Sequence, residues 1–513
     1  MITRASTAEP SVRLDRSTGR WILVATILGS SLAALDATAV NVALDRIGAD
    51  LHADLAGLQW TIGGYALTLA SFLLPGGALG DRLGRRRLFV LGTAWFALAS
   101  ALCGLAPSVA TLVAARALQG VGGALLTPGS LAILAASFAP DDRSRAVGAW
   151  SGFTGIANAI GPLVGGWLVQ AWSWRLVFLA NLPLAAVVIA VASRHVPETR
   201  DPGAAARLDV PGTLCGAVGL AALTWASIAA GDRGPSPAVL ATGGAGVLAL
   251  VAFVLVERRS PHPLVPPALF ASRAFVVANL FTFLVYAAIA AVFFLLLLDL
   301  QVVGGYTPLA AGTSMLPVTV AMLALSPRSG ALAQHLGPAL QLGLGPLVAA
   351  VGVLLTVRIG ADASWVGVVL PAVGLFGLGL ATFVAPLTAT VLAAAPSAHV
   401  GVASAVNNAV ARVGGLLAVA ALPALAGLAG EAPQDPAAFA AGYRTATLAN
   451  VVLLVAGGVL AAVGFGREVR QAAAARADRH AYGCAVEGPR LETIDRLRAE
   501  SAASVRPGAP APP

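Results

Sequence analysis

The chain has 513 residues, of which 58% are hydrophobic and only 11% are charged; a soluble globular protein carries about 25% charge, so this is a membrane protein. All 32 basic residues are Arg, and without a Lys no phosphate loop of the Walker kind exists, which excludes ATP hydrolysis by that route. The net charge of +8 does not indicate a nucleic-acid binder, because apolar segments separate the Arg residues, and the three Cys and six His show no spacing for a metal or a disulfide.

Residues 1–20 are polar and form an N-terminal segment. Beyond them, apolar runs long enough to cross ~30 Å of hydrocarbon as helices recur fourteen times. The expected spans are 21–44, 58–80, 88–106, 109–137, 146–170, 175–193, 211–231, 238–256, 275–299, 308–326, 339–358, 365–393, 401–429 and 443–466. The first is too long for a signal-peptide core and is expected to be retained. If the N-terminus is cytoplasmic, the inner segments before the tail hold 17 Arg and the outer loops hold 5. Cytoplasmic loops collect Arg, so both termini are expected in the cytoplasm and the location is the plasma membrane.

GALGDRLG at 77–84 returns 253 residues later as GALAQHLG, matching at five of eight positions, and the same offset aligns Val147, Gly148, Ser151, Gly161 and Leu163 with Val400, Gly401, Ser404, Gly414 and Leu416. Such a duplication is common in transporters. The expected fold is therefore all-α integral membrane: two pseudo-symmetric six-helix bundles at 21–193 and 275–466, with an inserted two-helix hairpin in the stretch 194–274. The tail, 467–513, ends in PGAPAPP and is expected to be partly disordered.

Ionisable residues inside hydrocarbon are costly and mark functional sites by default. Four qualify: Asp36 in span 1, Arg116 in span 4, Asp299 at the outer end of span 9 and Arg412 in span 13. At 1.5 Å per residue Asp36 stands ~22 Å above the inner face and Arg116 ~18 Å. An acid and a base at one depth form either a static bridge that fixes helix packing or a pair that exchanges its bond for a proton or a substrate cation. Asn41 lies 140° around the helix from Asp36 and is expected to bond another helix. Arg412 has two readings, gating or a structural bond to carbonyls. Asp299 is placed at the rim, where an exposed carboxylate costs little.

Between spans 2 and 3, Gly77, Gly80 and Gly84 permit a tight turn, while Arg82, Arg85, Arg86 and Arg87 anchor it in the cytoplasm. Asp81 among them is expected to pair locally or to cap a helix. In span 5, GIANAIGPLVGG runs from Gly155 to Gly166, with Ala157, Gly161 and Gly165 forming a small-residue stripe for close packing and Pro162 promising a bend.

Together these segments resemble the major facilitator superfamily, specifically its fourteen-span drug:proton antiporter branch of the EmrB/QacA type, over roughly residues 20–470. GALGDRLGRRR resembles the family's loop 2–3 signature, a cytoplasmic gate. RALQGVGGAL at 116–125 is similar to the span 4 motif, which implies proton transfer through Arg116. The segment 155–166 resembles the antiporter motif, with Gly155, Gly161, Pro162, Gly165 and Gly166. LDATAVNVAL at 35–44 resembles the first-helix motif, with Asp36 at its acidic position, and WRLVFLANLP and RVGG fit the same branch. Two departures stand out: Asp45 replaces the Pro that normally ends the first-helix motif, and Gln334 and His335 replace Asp81 and Arg82 in the second-half signature, which makes any gate asymmetric. The resemblance implies a proton-coupled exporter, not an enzyme, with no cofactor, driven by the proton gradient. Its expected partners are protons, the lipid bilayer and a small neutral or monocationic substrate, with the chain acting as a monomer. The competing expectation is a proton-linked uptake carrier for a nutrient.

Overall fold

The computed structural model describes residues 12–201, 209–261, 263–361, 363–396, 400–428 and 435–483; of the tail expected to be partly disordered, residues 484–513 fall outside them. Fourteen of the described helices are long and apolar enough to cross a membrane, which makes this a multi-pass membrane protein. They are α1 Ser17–Leu51, α2 Leu55–Leu83, α3 Arg85–Gly104, α4 Val109–Ser137, α5 Arg145–Ala171, α6 Arg175–His195, α7 Val210–Arg233, α8 Pro237–Arg259, α9 Arg273–Val302, α10 Pro308–Ala333, α11 Ala339–Arg358, α12 Trp365–Ala393, α13 Gly401–Leu425 and α14 Pro436–Phe465. The chain clusters into two units, Met1–Gly464 and Phe465–Pro513. The described part of the second is the helical continuation of α14 to Gly483.

Local chemistry sets the helix ends. Asp54 accepts the Gly57 amide at 2.8 Å to start α2, and Ser108 with Thr111 forms a capping box at the start of α4. A single residue, Gly84 at φ 121°, separates α2 from α3, a conformation that other residues rarely adopt. Within the membrane, lipid tails are as apolar as Leu, so helices associate through close packing. Glycine supplies it: a Cβ on Gly92 would stand 2.8 Å from the Leu126 amide, and one on Gly76 would meet the Ala124 carbonyl.

The helix pairings recur. In the first half α1 packs on α5, and α2 and α3 pack on α4; in the second α9 packs on α13, and α10 and α11 pack on α12. Helices α7 and α8, joined by residues 234–236, pack on each other, and α7 lies against α2 and α13.

With an even number of spans, α1 begins on the face where α14 ends; call it the terminal face, and the opposite one the far face. The two halves meet near the far face. There Gln59 donates to the Val419 and Ala420 carbonyls at 2.7 and 3.1 Å, Gln301 donates to the Val42 carbonyl at 3.4 Å, and the Leu309 amide donates to Gln170 at 3.3 Å. Gly166 lies against Pro308 and Leu309, and Gly312 against the Pro162 carbonyl. Toward the terminal face, Gly148, Gly152 and Gly155 of α5 and Gly401 of α13 meet open space. The halves are thus closed at the far face and parted at the terminal face.

Several ends differ from the sequence expectation. Helix α1 runs on through Asp45, Arg46 and Asp50, because Asp50 gains partners across the bundle: Trp174 Nε1 at 2.9 Å and Arg175 at 2.5 Å. The helix that contains α5 begins at Pro140, a residue suited to a first helical position, and it continues unbroken through Pro162. Helix α9 reaches Val302, three residues beyond the expected end.

Candidate functional site

Asp36 and Arg116, matched in depth by helical rise alone, meet. Arg116 Nη1 lies 2.6 Å from Asp36 Oδ2, with side-chain exposures of 1% and 0%. The other carboxylate oxygen accepts from Gln119 Nε2 at 2.8 Å and from Asn181 Nδ2 at 3.0 Å. Ser100 Oγ accepts from the same two amides at 2.7 and 3.3 Å. Arg116 also donates to the Thr61 carbonyl at 3.1 Å and to Gln119 Oε1 at 2.6 Å, and its guanidinium lies 4.3 Å from the Tyr65 ring centre and 5.6 Å from that of Phe178.

Five helices build this knot. Asp36 comes from α1, Thr61 and Tyr65 from α2, Ser100 from α3, Arg116 and Gln119 from α4, and Phe178 and Asn181 from α6. Every charge in it has a partner, as burial demands. The arrangement also gives Arg116 a reserve: if Asp36 gains a proton, Thr61, Gln119 and the Tyr65 face still hold the cation. Gln119 and Asn181 escaped the sequence reading, since uncharged amides give little contrast in an apolar span. Gln119 left one usable signal, standing three residues from Arg116 and so on the same helix face.

Among the described residues Asn41 bonds its own helix rather than the neighbouring helix expected. Its amide donates to the Ala37 carbonyl of its own helix at 2.9 Å, the i−4 back-bond that satisfies a polar group without a neighbour. Arg412 is exposed rather than packed among carbonyls, and its charge reaches the hydroxyls of Tyr65 in α2 and Tyr286 in α9. Ala409, one turn earlier, packs on the core of the first half. Arg412 therefore faces the space between the halves. Asn407 bridges to Asn279 and Thr282 of α9, at 3.2 and 2.7 Å. Asp299 is not an exposed rim carboxylate: it is 1% exposed, because α9 continues past it and α14 covers it.

In the turn between α2 and α3, Asp81 pairs with Arg85 at 2.8 Å, and its backbone carbonyl accepts from the Asp201 amide at 2.9 Å. The acid that caps α3 is Glu198, whose two oxygens accept the Arg86 and Arg87 amides at 3.1 and 3.2 Å, with the Arg86 and Arg87 side chains 3.7 and 3.6 Å away. Arg86 further donates to the Val196 carbonyl, while Arg82 is exposed. A Gly77 Cβ would stand 3.5 Å from Pro128, and a Gly80 Cβ 3.5 Å from Leu88.

Along α5 the expected small-residue stripe divides between two neighbours. Gly161 and Gly165 press on Thr38 and Ala39 of α1, while Gly166 meets the start of α10 and the Pro162 carbonyl lies against Gly312. A Cβ on Gly155 would meet open space.

Two sets of helices that touch at one face and part at the other, around side chains that line the space between them, have the architecture of a membrane transporter. The chain belongs to the Major Facilitator Superfamily, whose sequence profile matches residues 26–419. It is 36% identical over 411 residues to the tetracenomycin C resistance and export protein of Streptomyces glaucescens, covering 79% of this chain and 75% of that one. It is 34% identical over 452 residues to the cephamycin export protein CmcT of Amycolatopsis lactamdurans, covering 87% and 93%. Its fold matches the crystal structure of a bacterial homologue of the human lysosomal transporter Spinster, with a TM-score of 0.62 at 15% identity over 88% of this chain and 97% of that one.

Proposed function

We propose that the chain is an antiporter that exports small amphipathic compounds across the plasma membrane in exchange for protons. The observation that carries this reading is the sealed Asp36–Arg116 pair. The export direction draws support from similarity to two proteins named for export. The excess of Arg in the segments on the terminal face makes that face cytoplasmic, so the conformation seen is open to the cytoplasm and closed to the outside.

In this state neither water nor substrate touches Asp36, whose side chain is 0% exposed. Proton exchange takes place as the halves rock and α1, gripped by Gly161 and Gly165 of α5, shifts relative to α4. Protonation ends the ion pair, leaves Arg116 on its reserve partners and frees α1 to move. Inward proton movement yields ~2.3 kcal/mol per 100 mV and ~1.4 kcal/mol per pH unit, which suffices to drive export without a cofactor. Arg412, facing the space between the halves, disfavours multiply charged cations there. The substrates are therefore neutral or monocationic, and the working unit is a monomer.

Purified protein in proteoliposomes tests this. An acid-inside pH gradient should drive uptake of the monocation ethidium through molecules inserted with the terminal face outward, with protons leaving as it enters. Dicationic propidium should be transported less well. Ethidium that moves with protons rather than against them would establish a symporter and overturn the reading.

A further inference from the structure

Asp36 and Asp299 are the most deeply buried carboxyls among the described residues, and the molecule treats them in opposite ways. Asp36 and Asp299 are each 1% exposed. Asp36 receives three donors, whereas neither carboxyl oxygen of Asp299 has a hydrogen-bond partner. A bare carboxylate so placed costs several kcal/mol, and a bound proton removes that cost. The ionisable groups that face it come from α14: Tyr443, whose hydroxyl is engaged with Thr356 at 2.8 Å, and Arg444, which is exposed and bonds neither oxygen. No charged side chain from α1, α10, α12 or α13 bonds Asp299.

Asp299 stands in the last turn of α9, beside the parts that close the far face. Its own carbonyl accepts the Val303 and Gly304 amides at 2.9 Å each, and the next carbonyl, Leu300, accepts from Tyr306 at 2.8 Å. These bonds shape the turn that delivers Pro308 and Leu309 onto Gly166 of α5. Two residues along, Gln301 reaches the Val42 carbonyl of α1. An ionised Asp299 would need water or Arg444, and neither reaches it unless the end of α9 shifts. That shift would draw the turn and Gln301 away from the first half.

We propose that Asp299 is a second proton-binding site, which takes a proton from the far-face solution as that face closes, holds it while the face is closed and releases it to the same solution when the face opens. Its proton returns to the side from which it came, so it sets the balance between the two conformations and adds nothing to the number of protons carried across. Proton binding stands without the antiport reading; the link to closure rests on alternating access alone.

Two measurements on the purified full chain test it, neither of which needs a substrate. At about pH 7.5, where ordinary carboxylates are ionised, infrared spectra of the wild type should contain a protonated-carboxyl band that the isosteric Asp299→Asn variant lacks. Arg444→Gln should keep the band and shift its disappearance to higher pH, because the nearby cation no longer favours ionisation. Spin labels at Leu105→Cys and Leu425→Cys, exposed far-face positions in the two halves, read closure in a background with the native Cys replaced. Their separation should lengthen with rising pH in the parent and stay short when Asp299→Asn is added. An unchanged band in Asp299→Asn overturns the site. An Asp299→Asn protein that opens with pH like its parent overturns the link to closure, and neither result bears on Asp36.

Discussion

At the scale of single residues, the polar knot behaves as one unit. Asp36→Asn leaves Arg116 buried without a counter-charge, and Arg116→Gln leaves Asp36 in the same position; each should destabilise the protein by about 3–5 kcal/mol, the usual cost of breaking a buried pair from one side. The double variant removes both charges and keeps amide hydrogen bonds to Gln119 and Asn181, so it should recover much of that loss. Thermal unfolding in detergent of the four proteins checks this, and additive losses would mean that the pair is not coupled. The charged half of the knot was legible in the sequence because helical rise converts residue number into depth. The amides were not, since depth does not tell which face an uncharged residue takes. Asp299 was misread for a related reason: hydropathy marks where an apolar run stops, but not that α9 continues and α14 covers the acid.

At the scale of helices, glycines divide into those that hold contacts and those that do not. Gly161→Val should drive a side chain into Thr38 and Gly165→Val into Ala39, separating α5 from α1; overpacking costs about 1–3 kcal/mol, and lower melting temperatures with loss of transport should follow. Gly155→Ala meets open space and should fold and transport as the parent does. Gly84 is constrained by its φ of 121° and by Glu198 beside it, so Gly84→Ala should cost about 1–3 kcal/mol. Glu198→Gln should cost only about 0.3–1 kcal/mol through the lost charge at the α3 N-terminus, again read by thermal unfolding. The stripe in α5 was visible as a four-residue spacing of small side chains. Its division between α1 and α10 was not, because spacing identifies a face and leaves its neighbours unnamed. The same limit hid Glu198, which caps α3 from 112 residues away in sequence.

At the scale of the molecule, fourteen spans and their loop charges were readable from hydropathy and Arg placement, because lipid forces each crossing segment to be helical and apolar. The state of the two halves was not readable, since one sequence must serve both conformations, whose contacts differ by little. The far-face closure seen here predicts that Gly155→Cys, in a background without the three native Cys, reacts with a bulky water-soluble maleimide from the terminal face. The same reagent added from the far face should leave it unmodified. Equal labelling from both faces would show that the far-face contacts do not seal.

Coupling itself is tested most directly by comparing two modes of one variant. In proteoliposomes, Asp36→Asn should still exchange internal for external ethidium, a process that needs binding and rocking but no net proton movement, while losing accumulation of ethidium driven by a pH gradient. If Asp36→Asn accumulates ethidium against its gradient as well as the parent does, Asp36 is a packing residue and the proton travels by another route.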